Sequence, residues 1–161
     1  MSAPHVAMHR MPRALRLSTT AAAVLLFLLV VMNLACGVEQ RRSGLPSGAQ
    51  SAIDNITNDL TRGDYEKIYA EAAEEWRRTN KPDESRANLE RISNALGQML
   101  SRAQLSAQER ENASGDLAGH TLSVSYNTKF ERADAIETFT LVERSGRWLL
   151  ARYAVNSNAL K

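Results

Sequence analysis

HTLSVSYNTKF, at residues 120–130, carries the clearest structural pattern in this chain. Apolar residues alternate with polar ones through this stretch, which is typical of a strand with one buried face. The alternation returns at residues 136–143 and 148–155, and residues 102–109 indicate an earlier strand. The short connections between these runs predict an antiparallel meander.

Ser145 and Gly146 are predicted to form a two-residue hairpin turn between the last two strands. Counting outward from this turn sets three cross-strand pairs: Val142 with Leu149, Phe139 with Arg152, and Thr138 with Tyr153. Apolar residues then fall on both faces of the sheet. We expect one face to cover the helices, and the other to line a pocket or to meet a second subunit of a homodimer.

Helical periodicity precedes the strands. Apolar residues recur every three or four positions over residues 49–60, and again from Asp64, a good N-cap, as far as Trp76. A third amphipathic helix begins near Asp83 or Glu84, and its apolar positions are Leu89, Ile92, Leu96, Met99 and Leu100. Helices followed by a curved antiparallel sheet predict an α+β fold.

The N-terminus has the layout of an export signal. Basic residues without any acid precede the apolar run AAAVLLFLLVVM at residues 21–32, which is too short to span a bilayer comfortably. Cys36, the single cysteine, follows in NLACG, which resembles the bacterial lipobox although Leu34 stands one position late. Residues 1–35 are therefore predicted to be a lipoprotein-type signal peptide.

This interpretation makes Cys36 the diacylated N-terminus of a protein anchored in the cell envelope, on the extracytoplasmic side of a bacterial membrane. The alternatives are a single uncleaved N-terminal signal anchor and ordinary secretion. Residues 36–48 form a flexible tether rich in Gly, Ser, Arg and Pro, and residues 49–161 form a single α+β domain.

The charge of the body argues against nucleic acid as a partner. The whole chain carries a net charge of +2, but three arginines and no acids precede Cys36. Removing them leaves 17 basic and 18 acidic residues, a net charge of −1. A nearly neutral surface without a basic stripe lacks the electrostatic features of a nucleic-acid-binding protein.

Few residues in this chain are suited to catalysis. His5 and His9 belong to the leader and Cys36 to the anchor, so His120 is the one histidine left in the body. A Cys/His metal site cannot be assembled, no cofactor motif is present, and no serine lies in a nucleophile elbow. His120 itself is interpreted as a structural or solvent-facing residue.

The hairpin register places Glu137 diagonally from Arg152 on one face of the sheet. Such a pair can orient a polar ligand inside a concave sheet, or it can be an ordinary cross-strand ion pair that contributes little. The candidate pocket comprises His120, Tyr126, Glu137 and Arg152.

The body contains a set of short motifs and single residues: Gly63-Asp64-Tyr65, Ala72, Trp76, Leu96-Gly97, Arg102, Tyr126-Asn127-Thr128, Phe130, Glu137 to Leu141, Gly146-Arg147-Trp148 and Tyr153. Together they resemble the small exported bacterial domain-of-unknown-function family 4019. The resemblance implies a cone-shaped fold similar to the nuclear transport factor two and ketosteroid isomerase superfamily. That superfamily contains enzymes, ligand carriers and assembly modules, so the fold does not choose a function.

Two functional hypotheses follow. The first is a non-enzymatic envelope lipoprotein that binds a small ligand or an envelope protein. The second is a weak pocket enzyme of the isomerase or hydrolase type on the same fold. Ketosteroid isomerases use an acidic base opposite a tyrosine, and no residue of this chain can be matched to either group.

Overall fold

The computed structural model describes residues 44–161, which form four helices followed by a four-stranded antiparallel sheet. The helices are α1 (Ser47–Arg62), α2 (Tyr65–Glu71), α3 (Glu74–Thr79) and α4 (Pro82–Leu96). The strands are β1 (Met99–Asn112), β2 (Gly119–Phe130), β3 (Asp134–Arg144) and β4 (Arg147–Asn156). The predicted α+β fold, with helices packed on a curved antiparallel sheet, is confirmed. The predicted signal peptide, Cys36 and most of the tether lie outside the described residues.

The strands follow the order β1-β2-β3-β4, so each is paired with its neighbour in the chain. The hairpin turn between β3 and β4 lies at Ser145 and Gly146, where both residues have positive φ angles of 51° and 75°. Val142 lies opposite Leu149, as predicted.

The predicted register is wrong beyond that point. A shift between Thr140 and Leu141 leaves Ala151 without a partner, so that Arg152 lies opposite Thr140 and Phe139 lies opposite Tyr153. A bulge adds one residue to one strand and moves all later pairs by one position. Because side chains alternate between faces, the extra residue also changes which face Arg152 occupies.

The second predicted helix is broken in two. Ala72 and Ala73 have extended backbones, with ψ angles of 160° and 159°, between α2 and α3. This break lets the backbone N–H of Ala73 donate to the carbonyl of Leu150 on β4, at 2.9 Å. Asp64 precedes α2 but makes no side-chain cap; its carboxylate accepts a hydrogen bond from Arg62 instead.

The third predicted helix ends earlier than expected. Gly97 ends α4 with a φ of 79°, and Met99 and Leu100 begin β1 instead of continuing the helix. Glycine is favoured there because L-residues rarely adopt this left-handed φ, and a Cβ on Gly97 would also lie 3.0 Å from the Cβ of Glu131.

The core lies between the helices and the inner face of the sheet. The helical side contributes Ala49, Ile53, Ile68, Ala72, Trp76 and Leu89, and the sheet contributes Leu122, Val124, Tyr126, Phe139, Leu141 and Leu150. A second cluster of Ile92, Leu96 and Ala135 joins the end of α4 to the β2–β3 end of the sheet. Burial of these apolar faces is what holds the helices on the sheet.

The β3–β4 turn provides a test of this backbone. We expect Gly146→Ala to lower the free energy of unfolding by about 1 kcal/mol, because an L-residue strains the left-handed conformation. No atom lies within 4 Å of the added Cβ, so the loss is conformational and not steric. Ser145→Gly is the matched control: it relieves the strain at φ 51° and is expected to change stability little. Denaturant unfolding measures both, and equal losses in the two variants would contradict this turn.

Candidate functional site

A buried ion pair joins β1 to β3. One terminal nitrogen of Arg102, Nη2, donates to Oε2 of Glu137 at 3.0 Å. The side chains of Arg102 and Glu137 are only 13% and 2% exposed. The strand register explains the contact between Arg102 and Glu137. Arg102 lies opposite Thr128 on β2. The neighbouring inward residue of β2 is Tyr126, which lies opposite Glu137 on β3.

Both carboxylate oxygens of Glu137 are occupied. Oε2 also accepts a hydrogen bond from the hydroxyl of Thr128, and Oε1 accepts one from the hydroxyl of Tyr153 at 2.6 Å. Burial, together with the charge of Glu137, raises the pKa of Tyr153 well above its ordinary value, so its hydroxyl stays protonated and donates. A carboxylate whose two oxygens already accept three hydrogen bonds is poorly placed to accept a proton from a substrate.

The other end of Arg102 reaches α1. Its Nη1 donates to the hydroxyl of Thr57 at 2.9 Å, and that hydroxyl donates in turn to the carbonyl of Ile53 at 2.8 Å. The guanidinium carbon also lies 4.8 Å from the ring centre of Tyr126 and 5.2 Å from that of Phe139. Aromatic faces are favourable neighbours for a buried cation. Arg102 thus fixes α1 to the sheet.

Two buried polar atoms of this cluster have no hydrogen-bond partner among the described residues: Nε of Arg102 and the hydroxyl of Tyr126. Burial raises the pKa of Tyr126, so the hydroxyl remains neutral. A buried polar atom without a partner costs free energy. Another part of Arg102 borders an open space.

That open space is a cleft of about 320 Å³ at the end of the sheet where β1 begins. Arg102, Glu137 and Tyr153 all line it. The remaining walls come from three places, namely the end of α1 with the start of α2, the α4–β1 connection, and the β2–β3 connection.

Charged side chains fix these walls. Glu131 accepts a hydrogen bond from the backbone N–H of Gln98 at 3.0 Å, and Arg132 donates to the backbone carbonyl of Asn94. These two contacts join the β2–β3 connection to the end of α4. Arg62, on the opposite wall, pairs with two aspartates on its own side of the cleft. The lining therefore carries three arginines and two glutamates.

The structure does not bring the four residues of the predicted pocket together. Tyr126 and Glu137 lie side by side in the buried cluster, directly opposite each other on β2 and β3. His120 is on the same inner face of β2 but precedes Tyr126 by six residues, which is about 20 Å at strand spacing. Arg152 is exposed and lies opposite Thr140, among residues of the outer face. The predicted diagonal contact between Glu137 and Arg152 is therefore wrong, and the bulge in β4 is the reason.

His120 instead forms its own cluster with two carboxylates. Its Nδ1 lies 2.7 Å from Oε2 of Glu143, and its Nε2 lies 2.5 Å from Oε1 of Glu109. The ring also packs against Trp148, with 4.9 Å between ring centres. The hydrogen bond with Glu143 raises the pKa of His120, and Glu109 acts in the same direction. The carboxylates of Glu143 and Glu109 contact different ring nitrogens of His120, so the three side chains do not converge on a common position.

Sequence reasoning missed Arg102, Thr128, Tyr153 and Thr57 as parts of a site. One signal for them exists in the alternation of β3, where Glu137 takes an inward position between two buried apolar residues. An acid on an apolar strand face requires donors nearby, because an isolated buried charge is expensive. Arg102 and the threonine and tyrosine of the neighbouring strands are those donors.

Comparison with known proteins identifies the family but no activity. A family model described as "Protein of unknown function (DUF4019)" matches residues 52–153. The chain belongs to this family. The span matched by DUF4019 contains Thr57, Arg102, Thr128, Glu137 and Tyr153, so the whole cluster lies inside it. No curated protein matches the sequence.

Among solved structures, Aln2 from a Streptomyces species is similar to this DUF4019 chain with a TM-score of 0.46 and 16% identity. The similarity covers 73% of this chain and 96% of Aln2. A likeness of this degree carries no argument about function. None of the helices between residues 44 and 161 is long and apolar enough to cross a membrane.

The His120 cluster generates a pH prediction. Folded His120 holds its proton to a higher pH than the unfolded chain does, where the imidazole pKa is about 6.5. Its stabilising contribution is therefore complete below that value and is lost as pH rises through the higher folded pKa. We expect the stability difference between wild type and His120→Asn to shrink over this range.

An NMR titration of the His120 ring checks the cause. Glu143→Gln is expected to lower the pKa of His120 more than Glu109→Gln does, since the hydrogen bond with Glu143 is the largest single cause of the raised pKa. A wild-type ring that titrates at or below about 6.5 would show that the two carboxylates do not hold the proton.

Proposed function

We propose that the folded body of this chain is a binding module, without catalytic activity, that takes a small ligand in the cleft beside Arg102 and Glu137. The observation that carries the proposal is the state of Glu137, whose two oxygens are used by Arg102, Thr128 and Tyr153. The carboxylate of Glu137, which lines the cleft, therefore has a structural role. His120, the other candidate for proton transfer, does not line the cleft.

The chemistry of the walls favours a ligand with acceptor oxygens, such as a small carboxylate or phosphate. Arg62, Arg102 and Arg132 line the cleft, against Glu131 and Glu137, and Glu137 already has three donors. Arg62 uses two of its five N–H groups on aspartates and Arg132 uses one on the Asn94 carbonyl, so both guanidinium groups have further N–H groups to donate to a ligand. Guanidinium groups bind carboxylates and phosphates through short, charge-assisted hydrogen bonds.

The proposal includes the location of the protein. A lipid on Cys36 would hold the body at the extracytoplasmic surface of a bacterial membrane, and residues 37–48 would act as a tether. The support for this part is the order of basic segment, apolar run and single cysteine in the sequence.

Binding is tested with three named probes: succinate, citrate and inorganic phosphate. At least one is expected to raise the melting temperature in a saturable way. Arg62→Gln and Arg132→Gln should each weaken its binding about tenfold, because each removes a charge-assisted hydrogen bond. Isothermal titration calorimetry measures the constants.

Arg152→Gln is the matched control, since Arg152 is exposed on the opposite face of the sheet and should leave binding unchanged. Equal weakening by all three variants would indicate general charge attraction, and no response to any probe would contradict the ligand class. If the wild type turns over ester, phosphate or enone substrates and His120→Ala abolishes this turnover, the binding proposal is contradicted and the enzyme alternative is supported.

The anchor has a direct test. Cells that express the wild-type chain are expected to incorporate radiolabelled palmitate into it, whereas Cys36→Ser should carry no label because the thiol is the acylated group. Ser43→Cys in the Cys36→Ser background is the matched control, since it restores a thiol outside the lipobox. Label in Cys36→Ser, or an unlabelled wild type, would contradict lipid anchoring.

A further inference from the structure

We propose that β1 is the contact surface between two copies of this chain, which pair edge to edge with antiparallel β1 strands. β1 is the first strand of the sheet and is paired only with β2 among the described residues. It is 14 residues long, against 12, 11 and 10 for the other strands. An edge strand presents a row of backbone donors and acceptors that a second strand can use.

The helices leave this strand uncovered. Every residue of β1 is exposed except Arg102 and Asn112, which are partly buried. In β2, by contrast, the inward positions Leu122, Val124 and Tyr126 are fully covered. The edge is therefore open on both of its faces as well as along its backbone.

Exposed apolar side chains are concentrated on the same strand. Four large apolar side chains are exposed between residues 44 and 161, and three of them lie on β1: Met99 at 36%, Leu100 at 66% and Leu105 at 54%. Exposed apolar side chains on an edge strand promote association. A register shift between Gln104 and Ser106 leaves Leu105 without a partner on β2.

The charge pattern of β1 favours antiparallel over parallel pairing with a second copy of the chain. Arg110 and Glu111 are in the C-terminal half, together with Glu109, which pairs with His120. The N-terminal half has only Arg102, which pairs with Glu137. Parallel pairing of two copies would place each charge opposite its own like charge, which is destabilising. Antiparallel pairing places the charged half of each strand beside the uncharged half of the other.

This arrangement is self-complementary, as a two-fold interface requires. Leu105 is near the middle of Met99–Asn112, so the two-fold axis would pass close to it and bring the two copies of Leu105 together. The apolar residues at the start of one strand, Met99 and Leu100, would then lie near the aliphatic stems of Arg110 and Glu111 of the other.

Disulfide trapping of the full chain in bacterial membranes tests the contact. In antiparallel strands, facing Cα atoms are about 4.5–5.5 Å apart, within the range that a disulfide spans. We expect Leu105→Cys to form a covalent dimer on oxidation. The wild type, which retains Cys36, measures background, and Ile136→Cys is the matched control because Ile136 is the exposed apolar residue on β3. No dimer with Leu105→Cys, or as much with Ile136→Cys, would overturn the proposal.

Charge repulsion provides the second measurement. Sedimentation of the full chain in detergent is expected to show a dimer for the wild type and for the control variant Ile136→Arg. Leu105→Arg should raise the dimer dissociation constant at least tenfold, because it places two like charges at the axis. Circular dichroism checks that both variants are folded, as expected at exposed positions. A monomeric wild type, or a dimer unaffected by Leu105→Arg, would overturn the antiparallel β1 contact.

Discussion

Burying the carboxylate of Glu137 sets a constraint on the whole body, because an uncompensated buried charge costs several kcal/mol. The compensation comes from different elements: Arg102 from β1, Thr128 from β2 and Tyr153 from β4. Since Arg102 also binds Thr57 on α1, one carboxylate connects all four strands and the first helix. The relative positions of these elements at the cleft end of the sheet depend on that connection.

The cleft and the cluster share Arg102, Glu137 and Tyr153. A hydrocarbon core packs densely and leaves few voids. Where Arg102 and Glu137 replace apolar side chains, hydrogen-bond geometry fixes the packing, and the walls next to them come from chain connections held by Glu131 and Arg132. The contacts that satisfy the buried charge also occupy both carboxylate oxygens of Glu137, and this occupancy supports the proposed binding function.

Local patterns are enough to predict helices followed by strands, the α+β class and the turn at Ser145 and Gly146, because periodicity and turn chemistry act over a few residues. They do not predict the break between α2 and α3. The bulge at Ala151 was not predictable in that way, since it depends on packing between distant segments. That single extra residue moved Arg152 to the outer face and made Tyr153 the partner of Glu137. Two of the four predicted pocket residues, Tyr126 and Glu137, lie in the cluster. Arg102 is not among the predicted pocket residues and belongs only to the motifs of the family resemblance.

A double-mutant cycle on Arg102 and Glu137 measures whether this ion pair organises the fold. Free energies of unfolding are compared for wild type, Arg102→Met, Glu137→Gln and the double variant. Each single change should cost about 3 kcal/mol or more, because it leaves the partner buried without its counter-charge. The double variant should cost less than the sum by at least about 1 kcal/mol, which is the signature of a direct interaction. Costs that add within about 0.5 kcal/mol would contradict the role given to this pair.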